Sequence, residues 1–383
     1  MKGKISLIST SLAVSILFFA GCGGSAGKPG SYGEELYETR YSSGFSIYEA
    51  GDSSSVLVIR NPWQGAENVT AELFMSNGGE KAPRGFQGVS VSVPLEKVVC
   101  LSSSHVAFVD ALGLADAIAG VSGARYITNE KILRGYEEGK VTDVGYDTNL
   151  NYELLASIRP DLVFIYGVGG ENTAVTEKLK ELGINVVYIG EYLEETALGK
   201  AEWIVPFGEL FGIRGEAEEI FDGIAGRYER MKELAAVTEK RPRVMLNSPY
   251  RDVWFVPGGK SYMAALIGDA GGEYIYKDND STVSIPVSGE AAYLAVSGAD
   301  VWLNPNQARS LKELTAQNPK FSDIPVVRNG RVYNATKRST TGGGSDFWES
   351  GVLRADRVLE DMILILHPGL ISDGKLYYFE RLE

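Results

Sequence analysis

Glu216-Ala217-Glu218-Glu219-Ile220-Phe221-Asp222-Gly223-Ile224-Ala225-Gly226-Arg227-Tyr228-Glu229-Arg230-Met231-Lys232-Glu233-Leu234-Ala235-Ala236-Val237 is the stretch that decides how this chain is built. Ala217, Ile220, Phe221, Ile224, Tyr228, Met231 and Ala235 recur at helical spacing, so one apolar stripe runs along a single amphipathic helix. At 1.5 Å per residue such a helix spans about 30 Å, the width of a domain. A rod of that length is a stiffer connector than paired hinge strands, and it predicts small closing motions between whatever it joins.

Both flanks of the rod alternate strand and helix. On its amino side, Val98 to Leu101, Ala119 to Val121, Leu162 to Tyr166 and Asn185 to Ile189 read as buried strands, with helices such as Val106 to Leu112 and Thr173 to Leu182 between them. The pattern restarts after residue 241. Arg243 to Leu246, Val253 to Val256, Val301 to Leu303 and Val326 to Tyr333 are the strands, with helices around Tyr262 to Ile267 and Leu353 to Ile365. Such alternation predicts a parallel, doubly wound sheet in each half. Tyr32 to Ser92 differs, with short strand-like runs (Phe45 to Tyr48, Ser55 to Ile59, Ala71 to Met75) between Gly, Asn and Pro, and it shows no chemistry of its own. The expected fold is α/β: two Rossmann-like lobes joined by one long α-helix, with a small β-rich N-terminal extension. The expected divisions are a signal segment 1–21, tether and extension 22–94, first lobe 95–213, connecting helix 214–240, second lobe 241–366 and a tail 367–383.

The amino terminus sets the compartment. Lys2 and Lys4 precede an apolar run from Ile5 to Ala20, shorter than the roughly 20 residues that span a bilayer. Phe18-Phe19-Ala20-Gly21-Cys22 resembles a lipobox, although Phe19 replaces the usual leucine. Cleavage there would leave Cys22 acylated, and more than one buried acyl chain anchors stably at about 0.8 kcal/mol per methylene. The mature chain is thus expected to be periplasmic and tethered to the membrane by lipid alone, with Gly23 to Gly30 as a flexible tether. With Cys22 so used, Cys100 is the one cysteine left, which excludes an intrachain disulfide or a cysteine metal site. A net charge of −13 argues against nucleic acid and anionic lipid as partners.

The halves echo one another. Asn151-Tyr152-Glu153 and Ser288-Gly289-Glu290 each precede a helix that leads into a strand, at Asp161-Leu162-Val163 and Asp300-Val301-Trp302. Asn151 and Ser288 are natural N-caps, worth roughly 1 kcal/mol each, with a glutamate in the first turn.

The span Lys97 to Ile365 resembles the periplasmic-binding-protein family for iron complexes and cobalamin, the class with a single interlobe helix. The carriers are Val98-Val99-Cys100-Leu101-Ser102, Asn151-Tyr152-Glu153 with Ile158-Arg159-Pro160-Asp161, Leu182-Gly183-Ile184-Asn185, Pro257-Gly258-Gly259-Lys260, Gly271-Gly272-Glu273-Tyr274, Val287-Ser288-Gly289-Glu290 and Ser345-Asp346-Phe347-Trp348. The resemblance implies a monomeric substrate-binding lipoprotein serving an ABC permease dimer and its ATPase. It also implies that Glu153 and Glu290, one per lobe, dock into permease arginines, where charge pairs set register and on-rate.

Ligands of open α/β lobes bind beyond the carboxyl ends of the strands. The residues following those ends, and near them, are Ser102 to His105, Arg125, Tyr126, Tyr146, Tyr166, Tyr250, Arg251, Trp254, Arg338, Phe347 and Trp348. Flat aromatic faces contribute about 0.5–1.5 kcal/mol each beyond burial, and arginine pairs with anionic groups. Carried over from the resemblance, Tyr126, Tyr146, Tyr166, Tyr250, Trp254 and Trp348 stand where cobalamin binders place aromatics, while siderophore binders rely on arginines. The expected ligand is an iron or cobalt chelate (ferric siderophore, haem or cobalamin), with no resident cofactor. His105, opening a helix at the cleft edge, is a possible ligand to haem iron or corrinoid cobalt, against the plainer reading of a helix-start polar residue. His367 reads as a helix C-cap.

Two other readings remain. A hydrolase would need a nucleophile, base and orienter, and neither Gly-x-Ser-x-Gly nor His-Glu-x-x-His occurs; the expectation is that the chain is not an enzyme. A lipid-anchored chelate carrier or sensor without a permease would share the cleft and differ at Glu153 and Glu290.

Overall fold

The structure, a computed structural model, describes residues 32–146, 149–251, 253–305 and 308–383. The expected signal segment, Cys22 and the tether lie outside the described residues. No helix among the described residues is long and apolar enough to cross a membrane.

The extension is a five-stranded sheet of β1 (Glu35–Tyr37), β2 (Phe45–Glu49), β3 (Ser55–Arg60), β4 (Thr70–Ser76) and β5 (Val89–Ser92), in that order. Its pairings are antiparallel except β4 with β5, which is parallel. Period-two alternation divides its side chains. Phe45, Ile47, Leu57, Ile59, Leu73 and Met75 join the main core of the protein, while Val56, Val58 and Phe74 form a small core on the other face. The extension is therefore built into the body of the molecule, sharing a core with the first lobe.

That lobe carries β6 (Val98–Cys100), β7 (Ile118–Val121), β8 (Thr142–Asp143), β9 (Leu162–Ile165) and β10 (Val186–Tyr188). All are parallel, in the order β10-β9-β6-β7-β8. Apart from the short polar edge strand β8, the strands are near-continuous apolar runs because both sheet faces are covered. Ser102 caps the helix Ser103–Ala111 by accepting from the Ser104 amide, and Asn151 caps Tyr152–Ile158 by accepting from the Leu154 amide at 3.1 Å.

The connecting helix runs Arg214–Ala236 and buries Ala217, Phe221, Ile224, Ala225, Tyr228 and Ala235, most of the stripe read from the sequence. It holds every part of the molecule. Arg227 pairs with Asp356 of the second lobe at 2.7 Å, the Tyr228 hydroxyl donates to Asp269 at 2.7 Å, and Asp222 pairs with Arg40 of the extension.

The second lobe holds β11 (Arg243–Leu246), β12 (Pro249–Tyr250), β13 (Val253–Val256), β14 (Glu273–Tyr274), β15 (Ile285–Ser288), β16 (Val301–Leu303), β17 (Val332–Asn334) and β18 (Glu380–Arg381). Its main sheet has the order β14-β11-β16-β17-β18, parallel except for β18. The chain is thus α/β, with two doubly wound lobes, one long connecting helix and the β-rich extension.

Three local expectations differ from the structure. Val253–Val256 lies in a separate antiparallel sheet, β12-β13-β15. Tyr250 is paired directly with Val253 across a turn with Arg251 at φ 58°, and a connection that short permits only antiparallel pairing, since a parallel crossover takes a dozen residues or more. The run from Val326 divides into a helical turn, Pro325–Arg328, begun by a proline at its first position, and β17 after Gly330 at φ 61°. The tail is part of the lobe: β18 pairs with β17, and Asp361 accepts from the amides of Tyr377 and Tyr378 at 2.7 Å and of Phe379 at 3.0 Å.

Candidate functional site

Strand order reverses between β6 and β9 in the first lobe and between β11 and β16 in the second. Crevices form at such reversals, beyond the strands' carboxyl ends. A cavity of about 480 Å³ opens between the lobes at the second of them. Leu246, Asn247 and Asn304 line it from the strand ends, with Tyr262, Met263 and Trp348 from the same lobe. Tyr192 to Glu195 face them from the first lobe, and Gln64 comes from the extension.

Asn247 and Asn304 each stand one residue past a parallel strand, at φ 62° and 52°, a left-handed conformation that asparagine tolerates better than most residues. The Asn247 side chain donates to the Phe255 carbonyl at 2.9 Å, leaving its Oδ1 as an acceptor. The Asn304 Oδ1 accepts from the Ala335 amide at 3.1 Å, leaving its Nδ2 as a donor. Two fixed amides of opposite sense thus meet the cavity. No lysine, arginine or histidine is among its described lining residues, whereas Glu194 and Glu195 are.

Behind the wall formed by Tyr262 lies a buried polar cluster. The Ser104 hydroxyl donates to Glu191 at 2.5 Å, Lys200 donates to the Glu191 carbonyl at 3.2 Å, and the Lys200 ammonium sits 4.5 Å from the centre of the Tyr262 ring. Burial pushes the Lys200 pKa down to about 8 and raises that of Glu191. Ser104 is therefore committed to this cluster and does not face the cleft.

Several expected site residues have other places. His105 is fully buried beneath the first-lobe sheet, against the rings of Phe164 and Phe207, and neither ring nitrogen has a partner. Burial drives its pKa down to about 3, so it is a neutral core residue, out of reach of a metal in the cleft. Trp254 is equally enclosed: it packs on Trp302 and Phe321, and its Nε1 donates to the Leu246 carbonyl at 2.9 Å. Arg338 is already paired with Asp346 at 2.6 Å and lies over the Tyr377 ring. Phe347 is buried, with its ring edge-on to Trp348 at 4.7 Å, so it supports a neighbour that is 53% exposed and lines the cavity.

Others remain open at the surface. Tyr126 and Tyr146 form a ring pair at 5.2 Å, with the Arg125 guanidinium 4.5 Å from the Tyr126 ring centre. Arg125 and Tyr146 line a shallow groove past β7. Tyr250 and Arg251 are exposed and stacked on each other, and Tyr166 is half-buried at the end of β9. Among the expected site residues, Trp348 alone lines the interlobe cavity.

The Gly342–Gly344 loop joins the lobes. Side chains at Gly342 or Gly344 would collide with the backbone of Arg125 and Tyr126, and Thr340 donates to the Arg125 carbonyl at 3.0 Å. The Thr128 amide donates to Glu349 at 2.7 Å across the same seam. Glu153 and Glu290 are exposed in the first turns of Asn151- and Ser288-capped helices, one per lobe.

Comparison with known proteins agrees with this architecture. Residues 98–339 match the periplasmic binding protein family. An uncharacterized lipoprotein of Methanocaldococcus jannaschii is 30% identical over 298 residues, 76% of this chain and 69% of that one. An uncharacterized ABC transporter substrate-binding lipoprotein of Bacillus subtilis is 25% identical over 282 residues, covering 72% of this chain and 83% of its own. A periplasmic heme-binding protein from Pseudomonas aeruginosa superposes with a TM-score of 0.59 at 18% identity, over 76% of this chain and 98% of that one, a likeness of fold. The chain belongs to the periplasmic binding protein family.

Proposed function

We propose that this periplasmic binding protein is the substrate-capturing lipoprotein of an ABC importer, and that it takes a metal chelate of the siderophore, haem or cobalamin kind from the periplasm to its permease. The observation that carries the reading is the interlobe cavity at the carboxyl ends of β11 and β16, closed from the facing lobe by Tyr192 to Glu195. In this reading Trp348, exposed and lining the cavity, supplies a flat face for a macrocycle to stack on. Tyr146 and Tyr250, exposed outside the cavity lining, supply further faces for a ligand that extends beyond it. Arg125 and Arg251, exposed beside them, supply positive charge for peripheral carboxylates. In this reading Cys22 carries the lipid, and Glu153 and Glu290 dock on the two permease subunits.

The test is a titration of the purified protein with haemin, cyanocobalamin and ferrioxamine, followed by tryptophan fluorescence and absorbance. One of the three is expected to saturate at one equivalent and quench Trp348. Three flat titrations would refute the ligand class. Substrate uptake by cells carrying Glu153→Lys with Glu290→Lys is expected to fail while affinity stays unchanged, and normal uptake would favour an uncoupled carrier.

A further inference from the structure

The extension does more than pack against the first lobe. Its β3–β4 loop, residues 61–69, is closed at the base by hydrogen bonds from the Asn61 amide to the Val69 carbonyl at 2.8 Å and from the Val69 amide to Asn61 Oδ1 at 3.2 Å. The loop then lies across the loop that follows β9. The Gln64 amide donates to the Gly167 carbonyl at 3.0 Å and to the Tyr192 hydroxyl at 3.1 Å. The Gly169 amide donates back to Gln64 Oε1 at 3.2 Å, and the Trp63 ring packs on Tyr188 at 5.3 Å. A side chain at Gly167 would collide with Trp63, so the two loops fit only with glycine there.

With its backbone amide and Oε1 engaged, Gln64 retains its Nε2 donor, and it lines the interlobe cavity beside Tyr192. The segment leading into the extension is fixed to the same wall. Glu194, another lining residue, accepts from the Ser42 hydroxyl, the amides of Ser43 and Gly44, and the Trp203 indole.

We propose that the β3–β4 loop of the extension is a third wall of the cleft, and that Gln64, held by Gly167 and Gly169, is a specificity-determining residue that donates from Nε2 to an acceptor oxygen on the periphery of the ligand. The inference rests on the reading of the cleft as the ligand site, and the two can fail separately.

A test without ligand comes first. Met263 lines the cavity but is nearly buried, so a thiol placed there is reached through the cleft. In the full chain carrying Cys22→Ser and Met263→Cys, the remaining native thiol, Cys100, is buried and its pKa raised by desolvation, so it stays unreactive. Maleimide labelling at position 263 is expected to slow with Gln64→Trp and to quicken with Gln64→Gly. Equal rates in the three chains would overturn the wall.

The second arm uses haemin, cyanocobalamin and ferrioxamine as probes. For whichever binds, Gln64→Ala is expected to lose about fivefold in affinity, one neutral hydrogen bond, and Gln64→Trp about tenfold or more through overpacking. Glu80→Ala, in the β4–β5 connection of the same extension and outside the cavity lining, is the control expected to bind as the unaltered chain does. Unchanged affinity in Gln64→Ala would overturn the selecting role. If no probe binds the unaltered chain, the chelate reading falls, and the labelling rates still decide whether the loop is a wall.

Discussion

Removing the Glu202 carboxylate is expected to release the front of the extension from the body of the protein. Glu202 is fully buried and accepts four hydrogen bonds: from the Tyr37 hydroxyl, the Arg40 amide and the Tyr41 amide, each at 2.8 Å, and from the Ser42 amide at 2.6 Å. All four donors belong to one segment, so a single side chain orders the strand-free link between β1 and β2. Hydrogen bonds to a charged group contribute about 1.5–3 kcal/mol each. Tyr37, Arg40 and Tyr41 are near enough to the surface for water to replace part of that, while the Ser42 amide is buried. Glu202→Ala is therefore expected to cost about 3–5 kcal/mol, the range for breaking a buried charged network by removing one partner. Glu202→Gln, which keeps one acceptor oxygen and turns an NH2 toward the donors, should fall between. Urea unfolding gives the total, and amide exchange at Arg40 to Ser42 shows where it is lost. A cost below about 1 kcal/mol, or protection of those amides unchanged, would refute the argument that this carboxylate anchors the extension.

Two buried groups should tilt stability in opposite directions with pH. The His105 pKa, lowered by burial from 6.5 to about 3, means the unfolded chain binds the extra proton, so its contribution is whole above pH 6.5 and is lost as pH falls toward 3, at about 1.4 kcal/mol per pH unit. Glu349, raised by burial to about 7, does the reverse: its contribution is whole below pH 4.5 and is lost as pH rises through 7. Between pH 4.5 and 6.5 the two contributions oppose each other; measured against the unaltered chain, the denaturant midpoint of His105→Phe should gain as pH falls through that window and that of Glu349→Gln should gain as pH rises, and differences that do not change with pH would contradict both assignments. His105→Phe should also be neutral or stabilising at pH 7, since it removes two unpartnered ring nitrogens from an aromatic nest. Gly344→Ala should loosen the seam between the lobes, because the new methyl meets the Tyr126 carbonyl, and it is expected to lower thermal stability and increase amide exchange at Thr128.

The architecture was legible because it rests on periodicity. The stripe from Ala217 to Ala235 and the apolar runs of β6, β9, β11 and β16 are set by burial on one face or two, which a sequence displays directly. The site was less legible, because the rule that ligands lie past strand ends names a region and says nothing about which way a side chain turns. Ser104 and His105 follow β6 as the rule requires, yet the helix they open points them inward, to Glu191 and to the Phe164 ring. Asn247 and Asn304, the first residues past their strands, do face the cavity, and a polar residue able to hold a left-handed turn at that position was the signal available.

Gln64 had no such signal. It sits more than thirty residues before the first strand of the lobes, in a segment whose pattern reads as an appendage. What brings it to the cleft is a tertiary fit between Trp63 and the missing side chain of Gly167, together with two carboxylates, Glu194 and Glu202, that are spent on backbone amides of the extension. A glutamate that is fully buried and bonded to a remote segment looks, in sequence, like any other charge on a helix. Buried carboxylates need several donors each, so the two in the Glu194–Glu202 stretch required a partner segment rich in free amides, and Arg40 to Gly44 is that partner. The extension is thus tied to the cleft by the same physical demand that keeps the carboxylates buried. A two-lobed binder of this build without residues 32–94 would have to lose or neutralise Glu194 and Glu202 to remain folded.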